Sequence, residues 1–263
     1  MRRIRSALGE TRDTDVQIDL LESIYRNLPA SKFQPGLRRL LLRMRQKRQG
    51  LQEKVLDALD QMLESNILEQ MTNSCLKYAS IRRTNFSKEL YQLAFSTINE
   101  GLDSFFSYEA YIDQPERVEE LHAMRIAAKH LRYSMETFAP LYTSQLRNPI
   151  KVLRASQEML GDVHDCDVWI TYLPQFVVEE RQRAIDFYGF SSPYKRLLPG
   201  IQYFEQDRRL ARHQAYQKFL QAWNRWKEER IWDELHSTIE APTISKMDEL
   251  SPVSELESKT KVP

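Results

Sequence analysis

The sequence predicts an all-α protein, and three observations carry that prediction. Apolar residues recur at three- and four-residue intervals almost throughout, no segment alternates apolar and polar residues between turn formers, and the chain holds only 7 glycines. The spacing predicts helices over about 3–27, 35–66, 67–82, 86–110, 115–140, 147–180 and 200–236. Pro29, Pro35, Pro115, Pro140, Pro149, Pro193 and Pro199 fall at or near the gaps, where a missing N–H costs little. From residue 237 the periodicity gives way to Pro, Ser and charge without an aromatic residue, so 237–263 is expected to be a disordered tail.

An internal repeat organises the helical part. LGETRDTDVQIDLL at 8–21 matches LGDVHDCDVWITYL at 160–173, so that Leu8, Gly9, Asp13, Asp15, Val16, Ile18 and Leu21 recur as Leu160, Gly161, Asp165, Asp167, Val168, Ile170 and Leu173. Arg2 corresponds to Arg154, and a weaker echo joins RRL at 38–40 to RRL at 208–210. Such a repeat predicts two pseudo-symmetric antiparallel helical bundles, at 1–110 and 111–236. The repeat leaves no place for a first copy of the helix around 122–138, so the first bundle is expected to lack its N-terminal helix.

Composition narrows the function. Lys plus Arg number 38 against 37 Asp plus Glu, so any anion-binding reading must rest on how the cations are arranged and not on net charge. No apolar run approaches a membrane span or a signal-peptide core, which makes the cytoplasm the expected location. Cys75 and Cys166 are too few for a disulfide framework, and Cys166 reads as a small buried side chain. Gly9 and Gly161 read as sites of close helix packing, since no glycine-rich phosphate loop precedes a helix.

The arrangement is informative in LHAMRIAAKHLRYSMETF at 121–138. On a helix, His122, Arg125, Lys129 and Arg132 fall within about 80° of one another, whereas Met124, Leu131, Met135 and Phe138 form a separate apolar stripe. Like charges three and four residues apart repel, and Glu136 arrives only at the end of the rail, so the face costs stability unless an anion neutralises it. Near the C-terminal end, Arg208, Arg209 and Arg212 form a basic cluster, and Arg208 and Arg212 extend the aromatic side of a helix carrying Phe219, Trp223 and Trp226, where each needs an anion or a carboxylate such as Asp165 or Asp167. In the first copy Arg38, Arg39 and Arg43 form a further basic cluster.

His164 and Asp165, with His130 upstream, are similar to the ligand set of metal-dependent HD phosphohydrolases, a chemistry in which imidazole and carboxylate hold a water-activating ion. The repeat weighs against it, because Arg12 stands at the position of His164 and a guanidinium does not ligate metals. No nucleophile stands beside an obvious base, and no cofactor is expected.

Taken together, the 121–138 helix, LGDVHDCDVW at 160–169 and a last helix with Arg208, Arg212, Tyr216 and Phe219 resemble the conserved histidine α-helical domain (CHAD) family over about 1–236. The resemblance implies two four-helix bundles binding inorganic polyphosphate, without catalysis, through basic residues lining a groove. It carries His122, Arg125, Lys129, Arg132, Arg154, His164, Arg208, Arg209 and Arg212 into that role, with Arg2, Arg12, Arg38, Arg39 and Arg43 as first-half counterparts. It also implies a place at polyphosphate granules. An HD-type phosphohydrolase and an RNA-binding helical protein are the rival readings, with nucleic acid the less favoured partner.

Overall fold

The computed structural model describes residues 2–79 and 86–248, with side chains over 3–77 and 86–240. Eight helices follow one another: α1 (Arg2–Arg26), α2 (Gln34–Glu64), α3 (Ile67–Ala79), α4 (Lys88–Phe106), α5 (Val118–Phe138), α6 (Arg147–Tyr188), α7 (Leu198–Glu228) and α8 (Ile231–Asp248). No strand occurs among the described residues. Single residues in the left-handed region end the helices where no proline does: Asn66 (φ 49°) divides α2 from α3, and Arg230 (φ 52°) divides α7 from α8. Ser87 caps α4 by accepting the Leu90 N–H at 3.3 Å.

Two stretches differ from the sequence expectation. α6 continues past 180 to Tyr188 and contains Pro174, which removes one rung of the ladder while buried Leu173, Phe176 and Ala184 keep the apolar face continuous. The segment expected to be tail from 237 begins as helix: Ile231, Leu235 and Ile239 recur at four-residue intervals and are buried, and α8 runs on to Asp248. The remainder of the expected tail, 249–263, lies outside the described residues.

The chain forms two compact units, Met1–Arg83 with Val168–Leu210, and Thr84–Asp167 with Ala211–Pro263. Packing and not chain order sets the division. Residues of α6 before 168, such as Leu153, Leu160 and Val163, join the core of the second unit with Leu131, Phe219 and Trp223. Those after it, Trp169, Leu173 and Phe176, join the first with Leu21, Leu40 and Phe204. Residues 86–110 accordingly belong to the second unit and not to the first.

Inside the first unit, α2 and α7 meet backbone to backbone through Gly36 and Gly200. A Cβ on Gly36 would lie 2.2 Å from the Leu197 carbonyl oxygen, and one on Gly200 would lie 2.1 Å from that of Phe33. These are the close-packing glycines. Gly9, expected to be one, has nothing within 4 Å of its Cβ position, and Gly161 faces a side chain. The two sites share the dipeptide Pro-Gly, at 35–36 and 199–200, which aligns α2 with α7 better than the RRL echo does.

With that alignment the repeat pairs Arg48 with Arg212, just as it pairs Asp15 with Asp167. Both equivalent pairs form ion pairs, Arg48 to Asp15 at 2.7 Å in the first unit and Arg212 to Asp167 in the second.

Candidate functional site

The second unit gathers six of the fourteen candidate residues onto the facing sides of α5 and α6. His122, Arg125, Lys129 and Arg132 are spaced by three, four and three residues, and so are Arg154, Gln157, Gly161 and His164. Each set therefore lines one stripe of its helix. The helices run antiparallel, so the two stripes meet in register. The His122 ring stacks on that of His164 with centroids 3.9 Å apart. Gly161 leaves room for the Arg125 guanidinium, whose Nε lies 3.5 Å from where a Cβ would be. Arg132 Nε donates to Gln157 Oε1 at 3.0 Å, and Arg154 reaches Glu136 at 3.2 Å. The apolar stripe of α5 turns the other way, with Met124, Leu131 and Met135 fully buried and Phe138 partly so.

The electrostatics of this face are lopsided. Among the described residues Glu136 is the carboxylate that pairs with its arginines, taking Arg132 Nη1 at 2.6 Å as well as Arg154. Arg132 and Lys129 also lie over the exposed Tyr133 ring, at 4.4 and 5.9 Å. Lys129 has no ion pair among the described residues. At the opposite end, His122 Nδ1 and Arg125 Nε are buried without a hydrogen-bond partner. Burial, then the neighbouring His164 and then Arg125 hold the His122 imidazole below its ordinary pKa. A solvated helix face would leave no polar nitrogen buried and unsatisfied.

The remaining candidates divide. Arg212 is consumed structurally: it pairs with buried Asp167 and donates to the Pro115 carbonyl at 2.7 Å, tying α7 to α6 and to the turn before α5. This is the carboxylate alternative expected from the sequence. Arg208 pairs with its neighbour Asp207 and lies 5.5 Å from the Phe204 ring centroid, and Arg209 pairs with Glu205 at 2.7 Å. Both belong to the first unit, as do Arg38, which is exposed, and Arg39 and Arg43, which converge on Glu180. Arg12 is exposed on α1, and the side chain of Arg2 lies outside the described residues. His130 points to solvent, away from the stripe. Gln157 escaped the sequence reading although it completes the spacing from Arg154 to His164.

The HD motif does not assemble a metal site. His164 and Asp165 are neighbours on α6 and diverge by about 100°, and no three His, Cys, Asp or Glu side chains come together to hold an ion among the described residues. Cys166 is buried, as expected. No helix among the described residues is long and apolar enough to cross a membrane.

Comparison with protein families finds the CHAD domain over residues 1–174, well over half of the 263 residues. The chain belongs to the CHAD family. That stretch includes α5 and the half of α6 that faces it, and the family is known for binding polyphosphate. No curated protein and no solved structure matches this CHAD chain.

Proposed function

We propose that this CHAD protein captures inorganic polyphosphate, without turning it over, on the face shared by α5 and α6. The observation that carries the reading is the pair of buried, unpartnered nitrogens, His122 Nδ1 and Arg125 Nε, on a stripe of cations with a single carboxylate. A phosphate oxygen could accept from both once the two side chains turn outward from their buried positions. The stripe from His122 to Arg132 runs about 15 Å at 1.5 Å per residue, enough to engage successive units of an extended polyanion. Arginine supplies a fork of charge-assisted hydrogen bonds, lysine a mobile point charge. Arg154 extends the stripe, whereas Arg212 acts by positioning α7. A scaffold or targeting module at polyphosphate granules in the cytoplasm is the cellular role this chemistry suits.

The test is a titration with long-chain polyphosphate and with RNA at two salt concentrations. Polyphosphate should bind tighter than RNA, with affinity falling steeply as salt rises. Replacing Arg125 and Lys129 with alanine should weaken binding about tenfold or more, since a hydrogen bond to a charged group is worth about 1.5–3 kcal/mol, while helicity stays constant. Equal or tighter RNA binding, or metal-dependent phosphate release, would overturn the reading.

A further inference from the structure

The first unit holds a second concentration of cations, built differently. Glu180 on α6 is 3% exposed and receives N–H groups from three arginines, Arg43 at 2.5 Å, Arg183 at 2.8 Å and Arg39 at 3.3 Å. Arg183 also reaches Glu179 at 3.0 Å, but that carboxylate is not part of the wall described next. The three guanidiniums and Glu180 line a cavity of about 410 Å³, the size of small-molecule sites in general. Three guanidiniums against Glu180 and Glu179 leave a surplus of one positive charge, and Arg39 and Arg183 keep more than 40% of their side-chain surface open to an incoming anion.

Aromatic rings form the rest of that wall. Tyr188 and Tyr194 line it together with Phe187, which is 81% exposed and packs edge-on against Tyr188 at 4.7 Å. An exposed Phe–Tyr pair at the end of a helix contributes nothing to either core. Such rings offer a flat apolar surface on which another ring can stack. A neighbouring cavity of about 760 Å³ shares Arg39 and Leu197 with the first and adds Arg26, Arg38 and Arg45, with Glu22 its one carboxylate. Arg39 and Leu197 thus stand in the walls of both cavities, one carrying the three rings and the other most of the unshared arginines.

Inorganic polyphosphate has no ring to use the aromatic chamber, and a neutral aromatic compound has no use for the arginines. We infer that this pair of cavities binds a nucleoside phosphate, its base against Tyr188 and Tyr194 and its phosphates passing Arg39 toward Arg38 and Arg45. The stacked base supplies the contact every nucleobase can make, and the guanidinium forks supply the phosphate contacts. The assignment stands on the first unit alone and does not depend on the polyphosphate reading of α5 and α6.

Calorimetric titration of the full chain tests it, with ATP, inorganic triphosphate and adenosine as probes. The Arg125→Ala/Lys129→Ala variant serves as host, so that binding to the α5 face does not contribute. ATP should bind one to one and about tenfold or more tighter than triphosphate, the increment a stacked base provides. Phe187→Ala/Tyr188→Ala, which alters exposed side chains, should erase that advantage and leave triphosphate affinity unchanged. Arg38→Gln should weaken ATP several-fold and adenosine not at all. Equal affinities for ATP and triphosphate, ATP binding indifferent to the loss of both rings, or no ATP binding at millimolar concentration would each overturn the assignment.

Discussion

Acidification should tighten polyphosphate binding, and the stacked imidazoles set how much. His122 and His164 lie 3.9 Å apart with Arg125 beside them, and burial, His164 and Arg125 all push the His122 pKa down. Two positive rings at that distance repel by about 4 kcal/mol at an effective dielectric constant of about 20, so a charge on one ring opposes a charge on the other. A bound phosphate reverses the balance: it favours the charged form, and binding takes up about one proton. Affinity should therefore rise close to tenfold per pH unit as pH falls from the raised pKa of the complex to the lowered pKa of the free protein. In the free protein the sign for folding is opposite. A His whose folded pKa is depressed lets the unfolded chain protonate first, so the stability present above its ordinary value near 6.5 declines as pH falls through the lowered folded value. The assay is a series of polyphosphate titrations from pH 7.5 to 5.5 at constant ionic strength, in parallel with thermal unfolding, on the parent chain and on His122→Gln. Long chains are used so that terminal phosphates contribute negligibly. A flat profile in the parent, or the same slope in His122→Gln, would refute the reasoning.

Three further outcomes follow from single contacts. Glu136→Gln should tighten polyphosphate binding two- to fivefold, about 1 kcal/mol at a partly exposed pair, because it removes the one carboxylate that occupies Arg132 and Arg154; weaker binding in the same titration would mean that Glu136 positions the arginines and does not compete for them. Arg212→Ala should destabilise the fold by about 3–5 kcal/mol by stranding Asp167, which is 7% exposed, and replacing both partners with apolar residues should recover much of it in chemical denaturation. Gly36→Ala should cost about 1–3 kcal/mol and lower the melting temperature, since its Cβ would meet the Leu197 carbonyl and backbone has no way to step aside; Gly9→Ala, with open space at that position, should be neutral or stabilising.

The α5 stripe was legible because everything that defines it is local: four cations at helical spacing, opposite an apolar stripe, with almost no acid between them. The all-α class followed from the same periodicity. What depended on long-range packing was not legible. Arg39 and Arg43 read as a basic cluster because Glu180, which takes them both, lies some hundred and forty positions away on α6. The glycine roles were inverted, since nothing in a sequence tells which glycine has backbone against it: Gly36 and Gly200 touch, Gly9 does not. α8 illustrates a signal present and overlooked. Ile231, Leu235 and Ile239 carry its buried face at a regular spacing that crosses position 237, where the expected helix ended. Gln157 was passed over for a different reason, being neutral in a search directed at charge.

The matching Asp15–Arg48 and Asp167–Arg212 clamps show how a duplicated module separates what it must keep from what it is free to change. Both copies hold the same carboxylate and the same guanidinium, bonded through the same Nε, although only Asp167 is buried and Asp15 is half exposed. Three positions before each aspartate the copies part: Arg12 in one, His164 in the other. A guanidinium, charged at every pH, and an imidazole, the side chain whose ordinary pKa lies nearest neutrality, occupy equivalent positions in the two copies. Duplication of this kind lets one half hold its charge at every pH while its twin acquires a response to the environment, without disturbing the frame that carries both.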